Sequence, residues 1–322
     1  MSALPDNSNP SRQALFEVSR VVTELAKVRL QWRAQQQRST ELGGRELPSR
    51  EALEHIVQDL CGVLFPMRLG PADLRHETED FYVGHTLDTA LHALLAQVRL
   101  ELRYASRNQP QVSASRLDED AVGLVRSFSR ALPEIRALLD ADVLAAYEGD
   151  PAAHSVDEVL LCYPGVLAVI YHRIAHQLYD LGAPLLARIV AELAHGKTGV
   201  DIHPGASIGA GFFIDHGTGV VIGETAVIGA RVRLYQAVTL GATSFPVDAE
   251  GRPIKGQPRH PVLEDDVVIY AGATVLGRIT IGRGSSIGGN VWLTHSVPPG
   301  SHITQAVHRA APSDAPLTTL AA

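Results

Sequence analysis

The 322-residue sequence predicts an α+β chain: a helical first part, then a triangular solenoid of short parallel strands. Three observations carry that expectation. Glycine is unevenly spread, with 11 of 28 before residue 201 and 17 from there on. Upstream, apolar residues recur at helical intervals, as in Val125, Phe128, Leu132, Ile135 and Leu139. Downstream, they recur every six residues.

Residues 1–12, with Asp6, Asn7, Asn9 and Pro10, read as a frayed end rather than a signal peptide. The helical region is expected over 13–200, beginning with Leu15, Val18, Val22 and Leu25 at helical spacing. Turn formers cluster from Gly43 to Pro48, at Gly70-Pro71, from Asn108 to Ser115 and from Gly149 to Pro151, which divides it into four or five helices. The solenoid is expected over 201–307, with a loop at 243–261 and a flexible tail at 308–322.

The six-residue phase is kept by thirteen aliphatic residues: Ile202, Ile208 and Ile214; Ile222, Ile228, Leu234 and Leu240; Leu263, Ile269, Val275, Ile281, Ile287 and Leu293. A period of six is neither the 3.6 of a helix nor the 2 of a strand. Each unit forms one flat side, and three sides close a coil that stacks on the next at about 4.8 Å. The phase breaks twice. Between Ile214 and Ile222 an insertion holds Asp215-His216-Gly217-Thr218-Gly219. Between Leu240 and Leu263 about 17 extra residues leave the coil and end in Arg259-His260-Pro261.

Composition narrows the function. With 28 Lys+Arg against 35 Asp+Glu, a net charge of -7 leaves no basic stripe for a nucleic-acid partner. No apolar run approaches the roughly 20 residues that span a bilayer, so no membrane partner is expected. Cys61 and Cys162 have no paired spacing; they read as packed thiols in a reducing compartment, the cytoplasm. His172 and His176 are one helical turn apart without the Glu of a metalloprotease motif and receive no chemistry.

The polar residues gather where the repeat is interrupted. His216 suits a general base, or a corner hydrogen bond to a backbone carbonyl. Its neighbour Asp215 diverges from it in extended structure, so another acid must orient the ring. Asp201, 15 residues earlier and slightly less than one coil away, sits in the neighbouring layer as that orienter, or equally as a turn residue before Pro204. Arg259 and His260 suit a carboxylate, or a solvated loop. Asp150 before Pro151 offers a carboxylate for an ammonium group, or a turn.

Asp201-Ile202-His203-Pro204-Gly205-Ala206, Ile214-Asp215-His216-Gly217-Thr218-Gly219, Val221-Ile222-Gly223-Glu224-Thr225-Ala226 and Arg259-His260-Pro261 resemble the serine O-acetyltransferases of the hexapeptide-repeat acyltransferase family. The likeness runs from about Asp150 to about Gln305; residues 1–140 contribute little. It implies an N-terminal all-α domain followed by a left-handed parallel β-helix. It implies acetyl transfer from acetyl-CoA to the hydroxyl of L-serine, giving O-acetylserine for cysteine biosynthesis, with no metal. His216 would be the general base with Asp201 as its partner. Asp150 and Asp215 would hold the serine ammonium, and Arg259 and His260 its carboxylate. Ala242, Ala271 and Gly272 would flank the pantetheine arm in a groove between adjacent β-helices. L-cysteine would be a feedback inhibitor in the serine site. The assembly implied is a homotrimer through the β-helix, with a dimer of trimers as the larger form.

The sequence departs from that pattern in three places. Pro258 stands where shorter relatives carry Asp, in a loop lengthened by Phe245 to Gly256. The chain ends Leu320-Ala321-Ala322 rather than in the Ile tail that enters cysteine synthase, so that complex is not expected. The 140-residue helical extension also differs, so a trimer through the β-helix is expected ahead of the dimer of trimers built through the usual helical domain. Two other enzymes fit the repeat: an acetyltransferase for another small hydroxyl compound such as a sugar, and a zinc protein like the β-helical carbonic anhydrases, with His203, His216 and His260 as ligands. A non-catalytic scaffold is the remaining reading. Arg259 with two carboxylates favours a zwitterionic amino acid.

Overall fold

The computed structural model of the chain describes residues 16–35, 47–107, 113–244, 248–252 and 254–305. The expectations for residues 1–12, for Leu15 and for the tail at 308–322 lie outside them. Residues 1–46 form one unit, whose helix α1 (Val18–Gln35) buries no side chain. Residues 47–322 form the other.

The second unit begins with α2 (Arg50–Leu64), α3 (Pro66–Leu69), α4 (Glu79–Ser106) and α5 (Ala114–Gly149). It continues with α6 (Val156–Cys162), α7 (Pro164–Asp180) and α8 (Pro184–Thr198). Of the four breaks read from the sequence, Gly70-Pro71 and Gly149 to Pro151 fall at helix ends, whereas residues 43–46 and 108–112 of the other two lie outside the described residues. Three more occur before Pro66, Pro164 and Pro184, because proline lacks an N–H and is accommodated at the first helical turn. Ser49, Ser113 and Ser155 cap their helices by accepting from Ala52, Arg116 and Glu158 N–H groups. Among the described residues no single helix is long and apolar enough to cross a membrane.

From Asp201 the chain winds into a prism of three parallel sheets. Face one stacks β1 (Asp201–Ile202), β4 (Val221–Ile222), β7 (Thr239–Gly241), β10 (Thr274–Leu276) and β13 (Trp292–Leu293). Face two stacks β2 (Ser207–Ile208), β5 (Val227–Ile228), β8 (Val262–Leu263) and β11 (Thr280–Ile281). Face three stacks β3 (Phe213–Ile214), β6 (Arg233–Leu234), β9 (Val268–Ile269), β12 (Ser286–Ile287) and β14 (His302–Ile303). The register shows both interruptions directly: Asp201 pairs with Val221, Val221 with Thr239, Thr239 with Thr274 and Thr274 with Trp292. All thirteen aliphatic residues of the six-residue phase are buried. Inside the prism they replace the tertiary packing that such short strands cannot supply for themselves.

A buried ion pair fixes the helices to the first coil. Arg173 on α7 donates from Nε to Asp142 Oδ2 of α5 at 3.1 Å, from Nη2 to Gly209 O at 2.6 Å, and from Nη1 to Ile208 O. Asp142 Oδ1 accepts from Phe212 N–H at 2.8 Å. Burial raises the Asp142 carboxyl, and the Arg173 charge and the Phe212 N–H oppose that shift. Close by, α7 meets β3 at Gly165, where a Cβ would lie 2.1 Å from Ile214 O. Cys61 is buried as expected, but Cys162 is exposed, because the short α6 buries Val159 and Leu160 and leaves its last residue facing outward.

Removing one partner of the buried pair strands a charge, so Asp142→Ala is expected to lose about 3–5 kcal/mol in urea denaturation, and Asp142→Leu with Arg173→Met to recover most of it. His172, fully buried with neither ring nitrogen hydrogen-bonded, is held well below its usual range by burial and by Arg173. The unfolded chain therefore takes up that proton first, and this contribution to stability is complete above about pH 6.5 and declines below it. His172→Leu is expected to reduce the slope of stability against pH, between about pH 6 and about pH 5, by up to about 1.4 kcal/mol per unit.

Candidate functional site

The polar residues occupy two of the prism's three edges. The first corner joins face one to face two, and the third corner returns the chain from face three to the next strand of face one.

At the third corner, His216 adopts φ of 60° and its side chain is 70% exposed. Its Nε2 lies 3.8 Å from Asp215 Oδ1. The expected divergence of these neighbours assumed extended backbone; the left-handed turn folds them together instead. Asp215 is largely buried and accepts from Arg233 Nη2 at 3.1 Å. The Arg233 guanidinium in turn lies over the Phe213 and Tyr235 rings. Asp150 follows α5 and enters the same cluster. Its Oδ2 accepts from the Tyr163 hydroxyl at 2.5 Å and its Oδ1 from Ala152 N–H at 2.8 Å. The Tyr163 hydroxyl and the Ala152 N–H hold the Asp150 carboxyl below its usual range, with Arg233 and His216 adding to the effect against slight burial. Tyr163 is pushed up to about 12 by the same bond.

Asp201 is not joined to this cluster. Among the described residues no ion pair links it to His216; its carboxylate lies within 4.8 Å of the Glu192 and His195 ligand atoms. The spacing placed its backbone correctly, since Asp201 N–H donates to Val220 O beside the His216 turn. What the spacing did not give is the direction of the side chain, which stands out from face one.

At the first corner the long loop returns over residues 223–226. Arg259 Nη2 donates to Glu224 Oε2 at 2.6 Å, and Tyr179 donates to Glu224 Oε1 at 3.2 Å. Burial raises the Glu224 carboxyl, but Arg259, His203 and Tyr179 together leave it lowered. The Thr225 hydroxyl accepts from the Arg259 and His260 N–H groups, at 2.9 and 3.1 Å. His260 Nδ1 accepts from Thr225 N–H at 3.0 Å. Burial and then the Arg259 charge push the buried His260 ring down to about 4. The ring is therefore neutral at pH 7, and because Nδ1 accepts, Nε2 carries the proton and donates. Arg259 Nε is buried and has no partner.

One chain thus brings Asp150, Asp215 and His216 together, and separately Arg259 and His260. From Gly219 to Gly223, across face one, is about 13 Å at strand rise. The positions expected for a cosubstrate divide the same way. Ala271 and Gly272 lie on the third corner two coils beyond His216, with Gly272 at φ of 71°, and Ala242 opens the loop at the first corner. The three-histidine zinc reading fails within one chain for the same reason, since His203 and His260 share the first corner and His216 occupies the third. Glu224, Thr225 and Tyr163 lie in segments that carry the family resemblance but received no role from the sequence, and Arg233 carried no sequence signal of its own.

Residues 260–295 match the family described as bacterial transferase hexapeptide (six repeats). A serine acetyltransferase of Synechococcus elongatus is 62% identical over 262 residues, covering 81% of this chain and 82% of that protein. One from Mycobacterium tuberculosis is 54% identical over 160 residues, 50% of this chain and 66% of that one. Among solved structures, Entamoeba histolytica serine acetyltransferase isoform 3 in complex with cysteine superposes with a TM-score of 0.65 at 37% identity, covering 78% of this chain and 80% of that one. Soybean serine acetyltransferase complexed with serine gives 0.50 at 32%, covering 79% and 96%.

A Cβ at Gly223 would lie 2.1 Å from His260 Nε2. Gly223→Ala is therefore expected to push the ring out of its seat, and its pKa, followed by NMR, to climb from about 4 toward about 6.5.

Proposed function

The chain belongs to the serine acetyltransferase family, and we propose that its serine site is assembled from the third corner of one prism and the first corner of another. The observation that carries this is the separation of the two polar clusters by the width of face one. Serine carries its ammonium and carboxylate on a single carbon, so no one chain can hold both. A closed homotrimer, in which each prism's third corner meets its neighbour's first, makes three complete sites.

At such a site Asp150, kept ionised, and Asp215 receive the ammonium. The carboxylate falls to Arg259, whose unpartnered Nε needs an acceptor, and to the Nε2–H of neutral His260. A sugar acceptor would leave all four groups without a role. Acetyl-CoA is the proposed donor, with its pantetheine arm against Ala271 and Gly272 of one chain and Ala242 of the next. His216 Nε2 takes the serine hydroxyl proton as the oxygen attacks the thioester carbonyl. The C–S bond then breaks, and the imidazolium returns the proton to the departing thiolate. Asp201 is the proposed orienting acid once its carboxylate turns from Glu192, a like charge, to the adjacent His216 turn. L-cysteine offers the same ammonium and carboxylate, so it is expected to occupy the serine site as an inhibitor, as the cysteine-bound Entamoeba structure supports. The proposed compartment is the cytoplasm, consistent with two free thiols.

Serine-dependent thiol release from acetyl-CoA tests the reading. His216→Ala is expected to lower kcat by about 10²–10⁴-fold. His216→Ala and Arg259→Ala chains, each inactive alone, are expected to recover activity at about a quarter of the sites when refolded together, because a mixed interface can draw both intact corners from different chains. No recovery in verified mixed trimers would contradict the shared site.

A further inference from the structure

We propose that Glu192, His195 and Asp201 form a site for one divalent transition-metal ion, and that an ion bound there acts as a brake by holding Asp201 away from His216; the braking role rests on the serine-site reading above. Glu192 and His195 lie three residues apart near the end of α8, on one side of the helix, and Asp201 opens β1 just past it. One ligand atom from each lies within 4.8 Å of the other two. Ligands held about 2.1 Å from such an ion stand about 3–3.5 Å apart, so the three close on it by at most roughly 1.5 Å, a movement that side-chain rotation supplies.

The surroundings favour a cation and leave its ligands free. Arg188 Nη2 donates to Glu192 Oε1 at 2.8 Å, while Glu192 Oε2 lies 3.5 Å from His195 Nδ1. Arg188 thus steadies the carboxylate from behind, as an outer support does for a metal ligand. Lys197, the next cation on α8, is paired with Glu54 at 2.7 Å. The half-buried Asp201 carboxylate makes no hydrogen bond or ion pair among the described residues, and its close neighbour Glu192 is a like charge. Two carboxylates set together with no donor shared between them carry a cost that a cation removes. α8 ends at Thr198, so the site also stands at the negative end of the helix dipole. One imidazole and two carboxylates are nitrogen and oxygen donors suited to zinc, nickel or cobalt ions, with water completing the shell; calcium asks for about six to eight oxygens.

Asp201 cannot serve two partners at once. In the proposed mechanism its carboxylate turns to the His216 turn; ligated to the ion, it stays beside Glu192. The groups proposed to hold serine, Asp150, Asp215, Arg259 and His260, are untouched. A bound ion is therefore expected to lower kcat and leave the serine KM near its own value.

Cobalt(II) titration of the full chain, read by visible absorption, tests the site. Acetyl-CoA consumption with serine, read by thioester absorbance because these ions bind free thiols, tests the brake. The parent is expected to take up one cobalt ion per chain, and His195→Ala and Glu192→Gln to bind it at least about 30-fold more weakly. Without added metal all three are expected to turn over alike. With the site filled by cobalt or zinc, the parent is expected to lose about 10-fold or more in kcat at nearly unchanged serine KM and to regain it with EDTA, while the two variants keep theirs. A parent that binds no stoichiometric cobalt, or a His195→Ala chain that binds it as the parent does, would overturn the site. Equal inhibition of parent and His195→Ala, or a filled site with full activity, would overturn the brake. A parent with no serine-dependent turnover defeats the serine reading alone, while the cobalt titration still judges the site.

Discussion

The width of one prism face governs how this protein can work. Strand geometry fixes that width, at about 13 Å from Gly219 to Gly223, and no side-chain rotation removes it. The carboxylates that suit an ammonium group are on one edge, and the guanidinium and imidazole that suit a carboxylate are on the other. Under the proposed serine site, a substrate bearing both groups on one carbon draws two chains together. In that proposal catalysis and assembly become one constraint, and dissociation is expected to silence the enzyme without moving the side chains of either edge.

The helical part contributes by holding one carboxylate still. Asp150 sits two turns beyond Asp142 on α5, and Asp142 is tied through Arg173 to the backbone of the first coil. The helix end is thus referenced to the same coil that carries Asp215 and His216. The Tyr163 hydroxyl then finishes the placement by bonding the Asp150 carboxylate. At the opposite edge Thr225 performs the equivalent service, receiving the N–H groups of Arg259 and His260 on one hydroxyl. Both supports are short, buried or half-buried polar contacts that leave the groups facing substrate with spare donors or acceptors.

The prism was legible in the sequence because each of thirteen aliphatic positions independently reports the same phase, so a few irregular residues cannot hide it. The helix count was underestimated for a local reason: isolated prolines at 66, 164 and 184 start helices, and only clustered breakers were read as boundaries. The candidate residues were found by chemistry, yet their division into two sites was overlooked. The phase contained it: His216 follows Ile214 of the third side, whereas His260 precedes Leu263 of the second. Asp201 was placed in the right layer, but spacing along a chain fixes the backbone and not the direction of a carboxylate. The supports supplied by Glu224 and Thr225 depend on partners about 35 residues away across the loop, a contact that no local pattern encodes.

The account is tested most directly by a crystal structure of the full chain with L-serine bound. It predicts a serine whose ammonium meets Asp150 and Asp215, and whose hydroxyl meets His216, of one chain, while its carboxylate meets Arg259 of another. A serine held by one chain alone, or bound away from His216, would contradict it.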